Sequence, residues 1–160
     1  MKITKGFTLL ETLISMAVIL IAIGVVFYAF SMSLRLFVDE SKRTDVYIEA
    51  DRGMNIMTKE LRGAKEIISA ASNEVTFWLF DRNGNGTKEA DEVVTFTWSG
   101  VPNTSINRIA SNETIHIAYK VKNLLFIYDD PANVKLINIV LTVGNEITAT
   151  LESSIKPRNL

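Results

Sequence analysis

Two places in this 160-residue chain put oxygen-bearing side chains where their spacing suggests chemistry. The first is DRNGNGTKEADE, residues 81–92, in which Asp81, Asn83 and Asn85 alternate and Gly86 permits a sharp turn. Thr87 follows with a main-chain carbonyl, and Glu92 stands where a bidentate carboxylate closes such a loop. Hard oxygen donors at these intervals can wrap one calcium ion. Two of the usual carboxylates are asparagines, Lys88 occupies the eighth position, and the flanks read as strands rather than helices. A long hairpin turn is the competing reading, because Asn-Gly repeats supply positive φ without any metal. The second place is Glu11, a carboxylate near the start of the apolar run KGFTLLETLISMAVILIAIGVVFYAF, residues 5–30. Lipid penalises such a group, so its position asks for a partner.

Other chemistries find little material. There is no cysteine, which removes disulfides, thiolate metal sites and thiol nucleophiles. The single histidine, His116, lies in the alternating stretch TIHIAYKV and reads as a solvent-facing strand residue. Ser153 and Ser154 have no nucleophile elbow around them, and no zinc motif occurs. Lys and Arg (17) nearly balance Asp and Glu (18), which leaves no basic stripe to bind nucleic acid.

The elements that carry these residues follow from periodicity. Between Glu11 and Arg35 no residue is charged, and as a helix that stretch spans about 35 Å, enough for a bilayer core. Lys2 and Lys5 are its amino-side charges, which keeps the first residues in the cytoplasm and sends the rest outward. No small-residue cleavage site of the ordinary secretory kind follows the run. From Arg35 the chain turns polar but stays helical, and Tyr47, Ala50, Met54, Met57, Leu61, Ala64 and Ile68 recur at steps of three and four as a core-facing stripe. With no proline before residue 102, one helix from Phe7 to Glu66, about 90 Å long, is expected. Strands follow from residue 74: VTFWLF, VVTFTW, IHIAYKV, LLFIY, VKLINIVLTV and EITATLESSI. Ile115, Ile117, Tyr119 and Val121 are expected to share one face, as are Ile137, Ile139, Leu141 and Val143, and Ile147, Ala149, Leu151 and Ile155. The expected fold class is α+β: a long amino-terminal helix, its first half membrane-spanning, packed on an antiparallel sheet.

Lys5-Gly6-Phe7-Thr8-Leu9-Leu10-Glu11, set before a long apolar helix, resembles the class III signal of type IV prepilins and the pseudopilins of type II secretion. That resemblance implies a cut between Gly6 and Phe7 by a membrane prepilin peptidase and methylation of the new Phe7 amine. It divides the chain into a leader (1–6), a membrane and assembly helix (7–34) and a pilin-like globular domain (35–160). Cleavage would create a cation at the depth of a neighbour's Glu11, and opposite charges about 4 Å apart attract by roughly 4 kcal/mol at an intermediate dielectric. VKNLLFIYDD and the final SSIKPRNL are looser likenesses, to J-type minor pseudopilins and W-type minor pilins. The expectation is a non-enzymatic subunit of a type IV pilus or secretion pseudopilus, anchored in the cytoplasmic membrane with its head outside. Its partners would be sibling pilin-like subunits and the peptidase. A membrane-anchored binding module is the alternative, and Lys2 and Lys5 retained in the mature chain would mark it.

Overall fold

The structure is a computed structural model and describes residues 8–158. A single helix, α1 (Leu9–Gly63), is followed by seven strands: β1 (Glu66–Ala70), β2 (Glu74–Trp78), β3 (Val93–Trp98), β4 (Thr104–Ala110), β5 (Glu113–Tyr128), β6 (Ile137–Val143) and β7 (Ala149–Ile155). Every strand pairs antiparallel with the next, so the sheet order is the chain order. This is the α+β, pilin-like architecture expected, with α1 somewhat shorter than the predicted 7–66. Two compact units divide the chain between Ser41 and Lys42.

In the first unit every described residue is exposed. No proline interrupts α1, and an acidic residue in its first turn and Arg62 in its last both complement the helix dipole.

In the second unit the later turns of α1 cover the sheet. Ala50, Met54, Met57, Leu61 and Ala64 of the predicted stripe are buried, whereas Tyr47 is half exposed. Ile68 belongs to β1 and not to the helix, because α1 ends at Gly63 and Lys65 N–H already donates to the Trp78 carbonyl at 2.8 Å. Gly53 is buried as well, since a β-carbon there would lie 2.8 Å from Ala118 Cβ. Ile137, Ile139, Leu141 and Val143 all face the core as predicted, with Ala149 and Ile155 opposite them on β7.

Two strands, β1 and β4, were not expected, and two predicted strands are the single 16-residue β5. Along β5 the alternation breaks: Ile117 and Ala118 are both buried, and Ile115 and Tyr119 are about half exposed. The register against β4 shifts near Ile106, and Lys120 adopts a φ of 53°. An irregularity of this kind turns successive side chains to the same face, so the predicted shared face does not persist.

Candidate functional site

At the start of α1, Thr8 acts as the cap. Its side-chain oxygen accepts the Glu11 N–H at 3.3 Å, and its carbonyl accepts the N–H groups of Glu11 and Thr12 at 3.1 and 3.2 Å. Thr8 and Glu11 have the spacing of a capping box, a local signal that the sequence carried and that periodicity alone passed over. Farther in, Thr12 and Ser15 return their hydroxyls to the carbonyls of Leu9 and Glu11, both at 2.8 Å. Those two polar side chains are thereby satisfied within the helix, as a lipid environment requires.

Glu11 itself differs. Its side chain is exposed, and among the described residues its carboxylate has no ion-pair partner. A carboxylate in a first turn gains about 0.3–1 kcal/mol from the helix dipole. Placement in a membrane costs on the order of a few kcal/mol. Capping and dipole thus fall short, and a cation supplied from outside the helix would close the gap. Gly6 and Phe7, the predicted processing residues, lie outside the described residues.

The rest of this segment is apolar and uncovered. Leu13, Ile19, Val26, Phe30 and Phe37 are each more than half exposed. The helix contains a stretch long and apolar enough to cross a membrane.

The 81–92 segment joins β2 to β3 and is built by side-chain acceptors bonding main-chain N–H groups. Asp81 Oδ2 accepts Gly86 N–H at 3.1 Å, Asn83 Oδ1 accepts Asn85 N–H at 3.0 Å, and Asn85 Oδ1 accepts Thr87 N–H at 2.8 Å. Gly84 and Gly86 take φ of 69° and 71°, the left-handed region that glycine enters without strain. Glu92 is fully buried: its Oε1 accepts Arg82 N–H at 2.6 Å and its Oε2 accepts Trp78 Nε1–H at 3.2 Å. Asp81, Asn83, Asn85 and Glu92 are therefore folded into one turn, joined by Thr87 through its amide.

Three participants escaped the sequence reading. Glu89 Oε1 accepts the side-chain amides of Asn83 and Asn85 at 2.9 and 3.0 Å. Since only the NH2 end can donate to a carboxylate, these contacts fix which way both amides point. Glu89 could have been found as the ninth position of the loop. Lys65 and Trp78 come from elsewhere in the chain, and no local signal announces them. Lys65 Nζ lies 4.0 Å from Asp81 Oδ2 and 4.9 Å from the Trp78 ring centre. Lys88, which seemed to oppose a cation, is turned to Glu66 Oε1 at 2.6 Å. His116 sits on exposed β5 surface, its Nδ1 within 2.9 Å of Ser105 Oγ and 2.8 Å of Asn107 Oδ1.

Residues 1–27 match the family model of the prokaryotic N-terminal methylation motif. No curated protein and no solved structure matches the chain. The motif is a prepilin-type signal, and such a signal implies processing by prepilin peptidase and assembly with pilins generally. Together with the long apolar helix it fits a single-pass membrane anchor.

Proposed function

We propose that this chain is a minor pilin-like subunit that starts or caps a filament, either a type IV pilus or a type II secretion pseudopilus. The observation that carries the reading is a prepilin-type motif leading directly into an uncovered apolar helix whose one early charge, Glu11, lacks a partner among the described residues. In this account the precursor inserts with Lys2 and Lys5 in the cytoplasm and its head outside. Prepilin peptidase cuts after Gly6 and methylates the Phe7 amine. The mature amine, still cationic after methylation, then lies at the depth of Glu11 in an adjacent subunit. The pair sets the axial stagger, and dispersion between apolar helices supplies the rest of the association, because lipid offers no hydrophobic drive between them. Pairing both charges removes two penalties at once, so assembled helices are favoured over separate ones.

The test is Glu11→Gln, which keeps shape and removes charge. The variant is expected to insert and to be processed like the wild type. It should enter filaments and co-purify with sibling subunits at least tenfold less, the loss of roughly 1.4 kcal/mol or more of pairing. Undiminished incorporation would remove the ion pair from the account.

A further inference from the structure

The turn between β2 and β3 carries two carboxylates that folding has withdrawn from water. Glu92 is fully buried, and the Asp81 side chain retains 10% of its exposure. Both are fastened to the same few residues, since Glu92 Oε1 sits on the amide of Arg82, the residue after Asp81, while Asp81 Oδ2 sits on that of Gly86. The second oxygen of Asp81, Oδ1, is buried and has no hydrogen-bond partner. A buried carboxylate oxygen left bare in that way is costly, and a cation is what would relieve it. The cations nearby are committed elsewhere or pair with the other oxygen of Asp81. Arg82 pairs with Asp91 at 3.4 Å, Lys88 with Glu66, and Lys65 reaches only the other oxygen of Asp81, at 4.0 Å.

We infer that Asp81, Asn83, Asn85, Thr87 and Glu92 form a calcium site, with Asp81 Oδ1 as the ligand held in waiting. The asparagine oxygens each accept one main-chain N–H and keep a second lone pair for the ion. Glu89 does not need to touch the ion; it holds both asparagine amides by their NH2 ends, so their oxygens stay on the other side. The donor set is all oxygen, mixed in charge and carried on a glycine-bearing turn, which suits calcium better than magnesium with its demand for a tight octahedron. With two carboxylates among the ligands, the expected Kd is about 0.1–1 mM, the range of extracellular modules. Filled, the site would lock the turn and release Lys65. The site stands independently of the assembly reading; only its occupancy in the cell depends on the head facing a calcium-rich exterior.

Terbium is the probe, as an oxygen-seeking stand-in for calcium that tryptophan can sensitise. Trp78 donates to Glu92, so it lies beside the proposed ion, and Trp98 is the other tryptophan in the chain. With the full chain in detergent micelles, excitation of tryptophan should give saturable terbium emission that millimolar calcium displaces. Trp78→Phe should dim it several-fold. Asp81→Asn should weaken binding at least tenfold. Calcium should also raise the wild-type Tm by a few degrees, and magnesium at the same concentration by less. Absence of emission, emission that calcium does not displace, an equal shift from magnesium, or an Asp81→Asn variant that binds as before would each overturn the site. Should Asp81→Asn fail to fold, Trp78→Phe decides: undiminished emission places the ion elsewhere.

Discussion

At Gly53 and Ala118 α1 meets β5 through two small residues, and that contact yields a quantitative test. A β-carbon at Gly53 would stand 2.8 Å from Ala118 Cβ, 3.5 Å from Leu141 Cδ2 and 3.7 Å from the Ile117 carbonyl oxygen. Carbon atoms in contact settle about 3.5–4.0 Å apart, so Gly53→Ala must part helix and strand by close to 1 Å. Neither side yields easily, because Ala118 Cβ is bonded directly to the β5 main chain. Relief of the helix penalty for glycine is worth about 1 kcal/mol. Overpacking a tight core contact costs about 1–3 kcal/mol, and this one belongs at the upper end because no flexible side chain absorbs it. The net expectation is a loss of about 1–2 kcal/mol. At about 2.1 cal/mol/K per residue, a unit of roughly 120 residues loses about 4 °C of Tm per kcal/mol, so the shift is about 4–8 °C. Ala118→Gly removes the opposing methyl, and in the double variant the two changes should couple by at least about 1 kcal/mol. Both tryptophans lie in the sheet, so urea titration followed by their fluorescence reports this unit. Gly63→Ala, whose β-carbon would make an ordinary 3.6 Å contact with Leu79, is the near-neutral control. A Gly53→Ala variant as stable as the wild type, or a double variant whose losses simply add, would refute this picture of the interface.

Two further predictions concern the same unit. Burial, with a smaller contribution from Glu74, lifts the Tyr128 phenol above its ordinary pKa. Its stabilising effect is complete below the unfolded value of about 10 and declines as pH rises beyond it, because only the unfolded chain then ionises. Urea midpoints should therefore fall above about pH 10, and Tyr128→Phe should flatten that fall while losing about 1–2 kcal/mol at neutral pH with its bonds to the Ala71 and Glu74 carbonyls. Arg108 Nε lies 3.0 Å from both carboxylate oxygens of Glu60, tying β4 to α1. Arg108→Met keeps the apolar stem but strands Glu60, and should cost about 1–2 kcal/mol by the same titration, with Glu60→Gln on top restoring part of it.

What could be read in the sequence was whatever depended on neighbours along the chain. The stripe from Ala50 to Ala64 repeats at helical steps, and Ile137 to Val143 alternates without a break, so both faces were legible. Ile68 continued the helical spacing by coincidence, and only the turn after Gly63 assigns it to an edge strand. Thr104–Ala110 carries Asn107 and Arg108 among its apolar residues, so its alternation was too weak to announce β4. The break in β5 depends on Lys120 at positive φ and on pairing with β4 and β6, neither visible in a period-2 pattern. The loop behaved the same way. The spacing of Asp81, Asn83, Asn85 and Glu92 was explicit, whereas the burial of Glu92, the bare Asp81 oxygen and the Trp78 contact arise only when β2 and β3 pair. The partner of Glu11 is farther removed still, since the account places it on another chain.

That account requires a free amine on Phe7 in the finished protein, and mass spectrometry of the amino terminus of protein recovered from its own membranes measures it directly. The predicted result is a chain starting at Phe7 and heavier by one methyl group. An intact Met1, or a cut beyond residue 30 that discards Glu11 along with the apolar run, would contradict it.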